Sequence, residues 1–305
     1  MLWLVLVILV AVGWSLSAFI DNYVTDVCFR GRLPQGQKVF SVVAYVITAT
    51  IIAMIWPLME MELGVIMALI LSGAFAAIAG VPYYNALKSE NATGATIFVQ
   101  LAPIMYLIAG WMLFGQEVGP MKLLAFLVIL AAPLVIILNT ERRRRKMEIL
   151  AAGLLMVYLL LMVTSNLVFI GFAAELDFMT AFFWFIVGKG VADAVMIVMF
   201  RRWRVRFFNV LKEKKLKLVV PLLVNQIVFT LTEIGYRTAL MMGAVAIVSV
   251  VANASQLIIT FVLGLVLTLI WPVFGGERLN KKMVLAHLVA TILAVTGIIM
   301  VEFVV

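Results

Sequence analysis

The sequence predicts an all-α membrane protein of ten transmembrane helices, arranged as two five-helix inverted repeats. Three observations lead there. Of the 305 residues, 66% are hydrophobic and only 12% are charged, a balance at which a water-soluble chain would aggregate. The apolar residues fall in runs of about 20, the length a helix needs to cross a bilayer, and not in alternating strands of about ten. Two ordered sets of landmarks recur, one in each half of the chain.

The spans are expected at 2–22, 38–57, 63–87, 92–114, 121–139, 148–171, 178–200, 218–241, 244–271 and 283–303. The opening MLWLVLVILVAVGW has no basic residue ahead of its apolar stretch and no small-residue cleavage site, so it reads as a retained first helix. Trp56-Pro57 and Trp271-Pro272 close the second and ninth spans with interfacial anchors. The short connections FGQEVGP and FGGERLNKK make antiparallel hairpins of spans four and five and of spans nine and ten.

The net charge of +8 does not indicate nucleic acid, because the bases lie between or at the ends of apolar segments. Twenty of the 23 Lys and Arg, all but Lys122, Lys189 and Arg237, fall at the odd-numbered loops. Glu60, Glu62, Glu117, Glu175 and Asp177 fall on the other side. Basic loops mark the cytoplasmic face, so both termini are expected outside a cytoplasmic-type membrane. A basic cytoplasmic linker, 141–147, separates a first repeat, 1–140, from a second, 148–305. The segment RRWRVRFFNVLKEKKLK is read as a plain topology-setting loop. Its rival is an interfacial helix with Trp203, Phe207 and Phe208 among headgroups and its bases on anionic lipid. Cys28 is the only cysteine, which excludes an intrachain disulfide.

The repeat is carried by YYNAL (83–87), QL (100–101) and FGQE (114–117) in the first half, and by YRTAL (236–240), QL (256–257) and FGGE (274–277) in the second. Tyr83 matches Tyr236, Gln100 matches Gln256, and Glu117 matches Glu277. The interval from Gln to Glu is four residues longer in the second half, close to one helical turn. Five helices is an odd number, so the halves enter the membrane from opposite sides. Many secondary transporters are built this way, with solute held near the midplane between the repeats.

These landmarks resemble the drug/metabolite transporter superfamily, specifically its EamA-type ten-helix members. The resemblance rests on NALKSENATGATIFVQLAPIMYLIAGWMLFGQE, on TALMMGAVAIVSVVANASQLIITFVLGLVLTLIWPVFGGE and on the opening GWSLSAFIDNYV. It covers essentially the whole chain, in short and mostly apolar motifs. It implies two five-helix bundles around a central cavity and export or uptake of small metabolites, with no substrate specified. Two features depart from the family. Its relatives are usually described with cytoplasmic termini, the reverse of the charge map. Small proton-coupled relatives use a Glu in the first helix, where this chain has only Asp21 near the cytoplasmic end, so that mechanism does not carry over.

Candidate site residues come from polar groups inside the spans, where a charge costs about 2.5–3.5 kcal/mol on insertion scales. Lys189 with Asp193, and Glu233 with Arg237, are spaced i, i+4 and share helix faces. In the eighth span Gln226, Thr230, Glu233 and Arg237 form one stripe, flanked by Asn225, Thr232 and Tyr236. Either the stripe lines a translocation cavity, with Glu233 taking a cation, amine or proton and Arg237 an anionic group, or it is an ion pair buried between helices. The ninth span repeats the spacing with Ser249, Asn253, Gln256 and Thr260. Ser249 and Thr260 read as helix–helix glue, while Asn253, Gln256 and Gln100 stand open between glue and substrate contact. Asp193 with Lys189 is equally open between a coupling-proton carrier and a neutralised structural pair. Trp14 and Tyr83 are candidate contacts whose alternatives are core packing and interfacial anchoring. Glu117 and Glu277 read as helix caps, and His287 as a packed histidine.

The expectation is a secondary-active transporter of small polar metabolites, such as amino acids or other zwitterions, working by alternating access with proton coupling as an option. Its first-rank substrate contacts are Glu233, Arg237, Gln226, Tyr236, Asn253, Gln256, Gln100, Tyr83 and Trp14, with Lys189 and Asp193 second. The partners expected are a solute, the lipid bilayer and a coupling proton. No metal, cofactor or nucleotide site is expected, since GxxxxGK[ST] and HExxH are both missing, and the chain is not expected to be an enzyme. The rivals are a flippase of lipid-linked solutes with the same fold, and a non-transporting scaffold in which the stripe would be fully packed.

Overall fold

The structure, a computed structural model, describes residues 2–86, 101–115, 119–139, 145–174, 176–270 and 281–303. All regular structure among them is helical. The helices are α1 (Leu2–Tyr23), α2 (Lys38–Ile55), α3 (Leu63–Ala86), α4 (Ala102–Phe114), α5 (Pro120–Asn139), α6 (Arg145–Ala173), α7 (Phe178–Met199), α8 (Arg201–Lys214), α9 (Leu216–Met242), α10 (Val245–Ile270) and α11 (Lys281–Phe303). A π-helical turn, Val24–Cys28, extends α1, and a 3-10 turn, Pro34–Gln37, leads into α2. Among the described residues, seven helical segments are long and apolar enough to cross a membrane: those containing α1, α2, α3, most of α6, α7, α9 and most of α10. The chain is therefore an all-α, multi-pass membrane protein. Gln100, Glu117, Trp271, Glu277 and most of the 141–147 linker lie outside the described residues.

The chain divides into two compact units, and each draws on both halves of the sequence. One comprises Met1–Phe19, Glu90–Leu150 and Leu231–Val305, and the other Ile20–Ser89 and Ala151–Thr230. The division falls inside α1, α6 and α9.

In the second unit, α7 packs on α3 and α2. The contact with α3 is main chain against main chain. A Cβ added at Gly73 would stand 2.0 Å from the Phe185 carbonyl oxygen, and one at Gly188 would stand 2.1 Å from that of Ile70. Small residues let membrane helices approach this closely, which matters where lipid is as apolar as the side chains. Ser72 donates to the Ser165 carbonyl at 2.7 Å and fastens α6 to α3. Phe169, Phe178, Phe182 and Phe185 pack as a ring cluster between α6 and α7, with centroids 5.7–6.0 Å apart. Pro57 disfavours helix at the residue before it, and Trp56 is accordingly extended. The Trp56 indole donates to Asp177 at 2.8 Å. Asp177 in turn caps α7 by accepting from the Thr180 backbone N–H at 2.8 Å.

In the first unit, α11 lies along α5, and α10 packs on α4. Ser15 of α1 bonds the Ala11 carbonyl at 2.7 Å and the Thr260 hydroxyl at 2.8 Å, joining α1 to α10.

The segment 201–214 corrects the plain-loop expectation: it is a helix, α8. Trp203, Phe207 and Val210 recur at i, i+4, i+7, and that stripe is buried in a core with Val24, Cys28, Phe29, Leu218 and Leu222. Trp203 and Phe207 face protein, and of the three aromatics only Phe208 is exposed. Arg206 secures the seat by donating to the Phe29 carbonyl at 2.6 Å and the Arg32 carbonyl at 3.2 Å.

Candidate functional site

Polar side chains of the membrane helices gather in both units. In the first unit the gathering centres on α9. Glu233, Tyr236 and Arg237 are buried, with Glu233 at 6% exposure and Arg237 at 1%. Arg237 lies within the electrostatic reach of Glu233, Tyr106 and Tyr236. The Tyr236 hydroxyl is hydrogen-bonded to Ser249 of α10 and Tyr106 of α4. The Trp14 ring of α1 stands edge-on to Tyr236, centroids 4.6 Å apart. Gly13, one residue earlier, makes room for α9, since a Cβ there would fall 2.0 Å from the Thr232 hydroxyl. On α10, Asn253 turns back to the Ser249 carbonyl at 2.8 Å. Gln256 is buried, and among the described residues no group donates to its side-chain carbonyl oxygen. A buried acceptor left this way loses the water it would otherwise bind, so its retention calls for a reason. This unit thus holds Trp14, Glu233, Tyr236, Arg237, Asn253 and Gln256 of the expected set.

In the second unit the gathering lies where α1 ends and α2 begins. Lys38 opens α2, and its buried ammonium donates to Asp193 of α7 at 2.6 Å and to the Ala77 carbonyl of α3 at 2.7 Å. Gly80 leaves it space, since a Cβ there would stand 3.2 Å from Nζ. Asp193 was paired by sequence spacing with Lys189, one turn earlier. A second ammonium, that of Lys38 on another helix, is hydrogen-bonded to it, and the charge of Lys189 acts on it as well. Lys189 lies over aromatic faces, with Nζ 4.6 Å from the Phe229 centroid, 5.0 Å from Tyr45 and 5.4 Å from Phe185. Ring faces attract cations, most strongly away from water. Asn225 of α9 donates to buried Asp21 at 2.8 Å, and Gln35 donates to Asn85 at 2.5 Å. Tyr83 packs against Tyr158 of α6 and Tyr84, at 5.2 and 5.5 Å.

Tyr83, Lys189, Asp193 and Gln226 of the expected set belong to this second unit. Gln226 is half-buried and bonds Thr230, its neighbour one turn on, at 3.4 Å. Gln100 lies outside the described residues. Sequence reasoning missed Lys38, grouped with Arg30 and Arg32 as a loop charge, and it missed the Asp21–Asn225 bond. The one available signal for Lys38 was its place at the first residue of a span.

No family model matches the chain, and no curated protein matches it. Solved structures do match, 28 chains of them. One crystal structure of a protein aligns with a TM-score of 0.61 over 97% of this chain and 96% of its own, at 15% identity. At that identity the likeness is one of fold alone. What fold and composition together define is a helical multi-pass membrane protein with ionisable groups buried in its spans.

Proposed function

We propose that this chain is a secondary-active carrier of a small polar solute, with ten spans in two inverted five-helix repeats and a resemblance to the drug/metabolite transporters. The observation that carries the reading is the polar set of the first unit. A buried acid and base, Glu233 and Arg237, sit in a membrane helix beside Tyr236 and Trp14. The same unit retains a buried Gln256 acceptor to which no described group donates. Ionisable groups inside a membrane are costly, and they commonly mark solute or ion pathways. An acid and a base in one set suit a zwitterion such as an amino acid. The basic loops would face the cytoplasm and both termini the outside.

The test is uptake of a panel of polar solutes into proteoliposomes with an imposed pH gradient. Wild type is compared with Glu233→Gln, Arg237→Ala and Gln256→Leu. The carrier reading expects a raised KM or lost transport in folded Glu233→Gln and Arg237→Ala protein. Full transport in both would remove them from the site.

The burial of Arg237 and Glu233 favours a second reading, in which the pair is structural. That reading expects the same variants to melt at lower temperature while the protein that remains folded transports with unchanged KM.

A further inference from the structure

The two faces of α8 have different surroundings. One is seated in protein through Trp203, Phe207 and Val210. The bases flanking that seat are engaged: Arg204 donates to the Ile197 and Val198 carbonyls at the end of α7, and Arg206 to Phe29 and Arg32. The one acid of the helix, Glu213, is paired with Arg30 at 2.8 Å and Lys214 at 3.5 Å. The opposite face runs Arg201, Val205, Phe208, Lys212, again at i, i+4, i+7, i+11, and is exposed throughout. Val205 is 49% and Phe208 50% exposed, apolar groups set among bases. No carboxylate among the described residues pairs with Arg201, Arg202, Lys212 or Lys215.

The position of α8 identifies the occupant. A single residue separates it from each neighbouring span, Phe200 from α7 and Lys215 from α9. Both residues leave helical geometry, with φ −103°, ψ 76° and φ 47°, ψ −120°. The chain therefore bends at each end of α8, which lies between two segments long and apolar enough to cross a membrane. A helix there with apolar side chains between lysines and arginines matches the interfacial pattern, in which the rings and branched chains enter the acyl boundary and the bases reach phosphate.

We propose that the face formed by Arg201, Arg202, Val205, Phe208, Lys212 and Lys215 docks on anionic phospholipid headgroups of the membrane that α7 and α9 cross. The face binds lipid phosphate through charge and holds α8 flat through Val205 and Phe208.

The test uses the full-length chain with Cys28→Ala, so that Phe208→Cys supplies the only thiol for a fluorescent label. Val205→Cys is the second reporter on the same face. The protein is reconstituted in mixed phosphatidylcholine and phosphatidylglycerol, with a headgroup-proximal nitroxide quencher on one lipid or the other. Phosphatidylglycerol is expected to quench with about threefold or greater relative association, given the attraction of each base for an anionic surface. That preference should fall toward one in high salt. It should also fall in Arg201→Gln/Arg202→Gln/Lys212→Gln/Lys215→Gln, which leaves Arg204, Arg206 and the buried stripe intact. Equal quenching by the two lipids from both reporters would overturn the proposal. So would strong quenching by aqueous acrylamide with little from either lipid.

Discussion

Replacing Gly188 with alanine tests whether α3 and α7 meet backbone to backbone. The added Cβ would stand 2.1 Å from the Ile70 carbonyl oxygen, where ordinary contact begins at 3.4 Å. The helices must part by roughly 1.3 Å, and gaps smaller than that already forfeit a quarter to a half of each dispersion contact. Overpacking a well-fitted site costs about 1–3 kcal/mol. The blocking atom is main chain rather than the tip of a side chain, which places this site in the upper half of that range. The better helix propensity of alanine offsets up to about 1 kcal/mol. A net loss of about 1–2 kcal/mol should lower Tm by several degrees. The assay is thermal melting in detergent, followed by tryptophan fluorescence. Gly153→Ala and Gly171→Ala are the controls, because a Cβ at either meets nothing within 4 Å, and they should melt at or above wild type. Gly73→Ala faces the Phe185 carbonyl at 2.0 Å and should behave like Gly188→Ala. The double variant should lose less than the two losses combined, because one separation relieves both clashes. A Gly188→Ala protein as stable as Gly153→Ala would refute the reasoning.

Lys38→Met leaves the buried Asp193 carboxylate without its 2.6 Å partner and should cost about 3–5 kcal/mol, whereas Lys38→Met/Asp193→Leu should recover most of it in chemical denaturation. Asp177→Ala removes the cap of α7 and should cost about 0.5–2 kcal/mol. Burial works to raise the Asp177 carboxyl, but hydrogen bonds from Thr180 and Trp56 outweigh it and hold the group below the usual carboxylate range. Its contribution is therefore complete above the unfolded value of about 3.9 and is lost as pH falls through the lower folded value. Melting below pH 4 should show that loss in wild type and not in Asp177→Ala. Arg206→Ala removes a donor from the Phe29 and Arg32 carbonyls, which border the left-handed residues Arg30, Gly31 and Leu33, and should speed amide exchange across 29–33 with little change in α7.

The helices were legible because lipid imposes length and apolarity on each span. The boundaries expected for the spans around α1, α2, α3 and α7 fall within two residues of those observed. α8 was misread because its density of bases, the very feature that marks a loop, hides a stripe that was present at 203, 207 and 210. The pairing of Lys38 with Asp193 was not legible at all. It joins residues 155 positions apart, and no periodicity within a helix reports a partner on another. The nearer cation, Lys189, met the local spacing rule, and its charge does act on Asp193 while its ammonium also lies over aromatic faces. Burial of Glu233 and Arg237 followed from the rule that polar stripes avoid lipid, but the spacing could not say which neighbours would cover them.

The Lys38 ammonium touches α2, α3 and α7 at once, and this constrains how the sequence can drift. Losing either end of the pair alone takes a 2.6 Å contact from a buried charge, so single steps away from it are disfavoured while a simultaneous exchange is not. Among descendants of a common ancestor, positions 38 and 193 should accordingly hold both charges or neither, with the space opposite residue 80 kept small only in those lineages that keep the lysine.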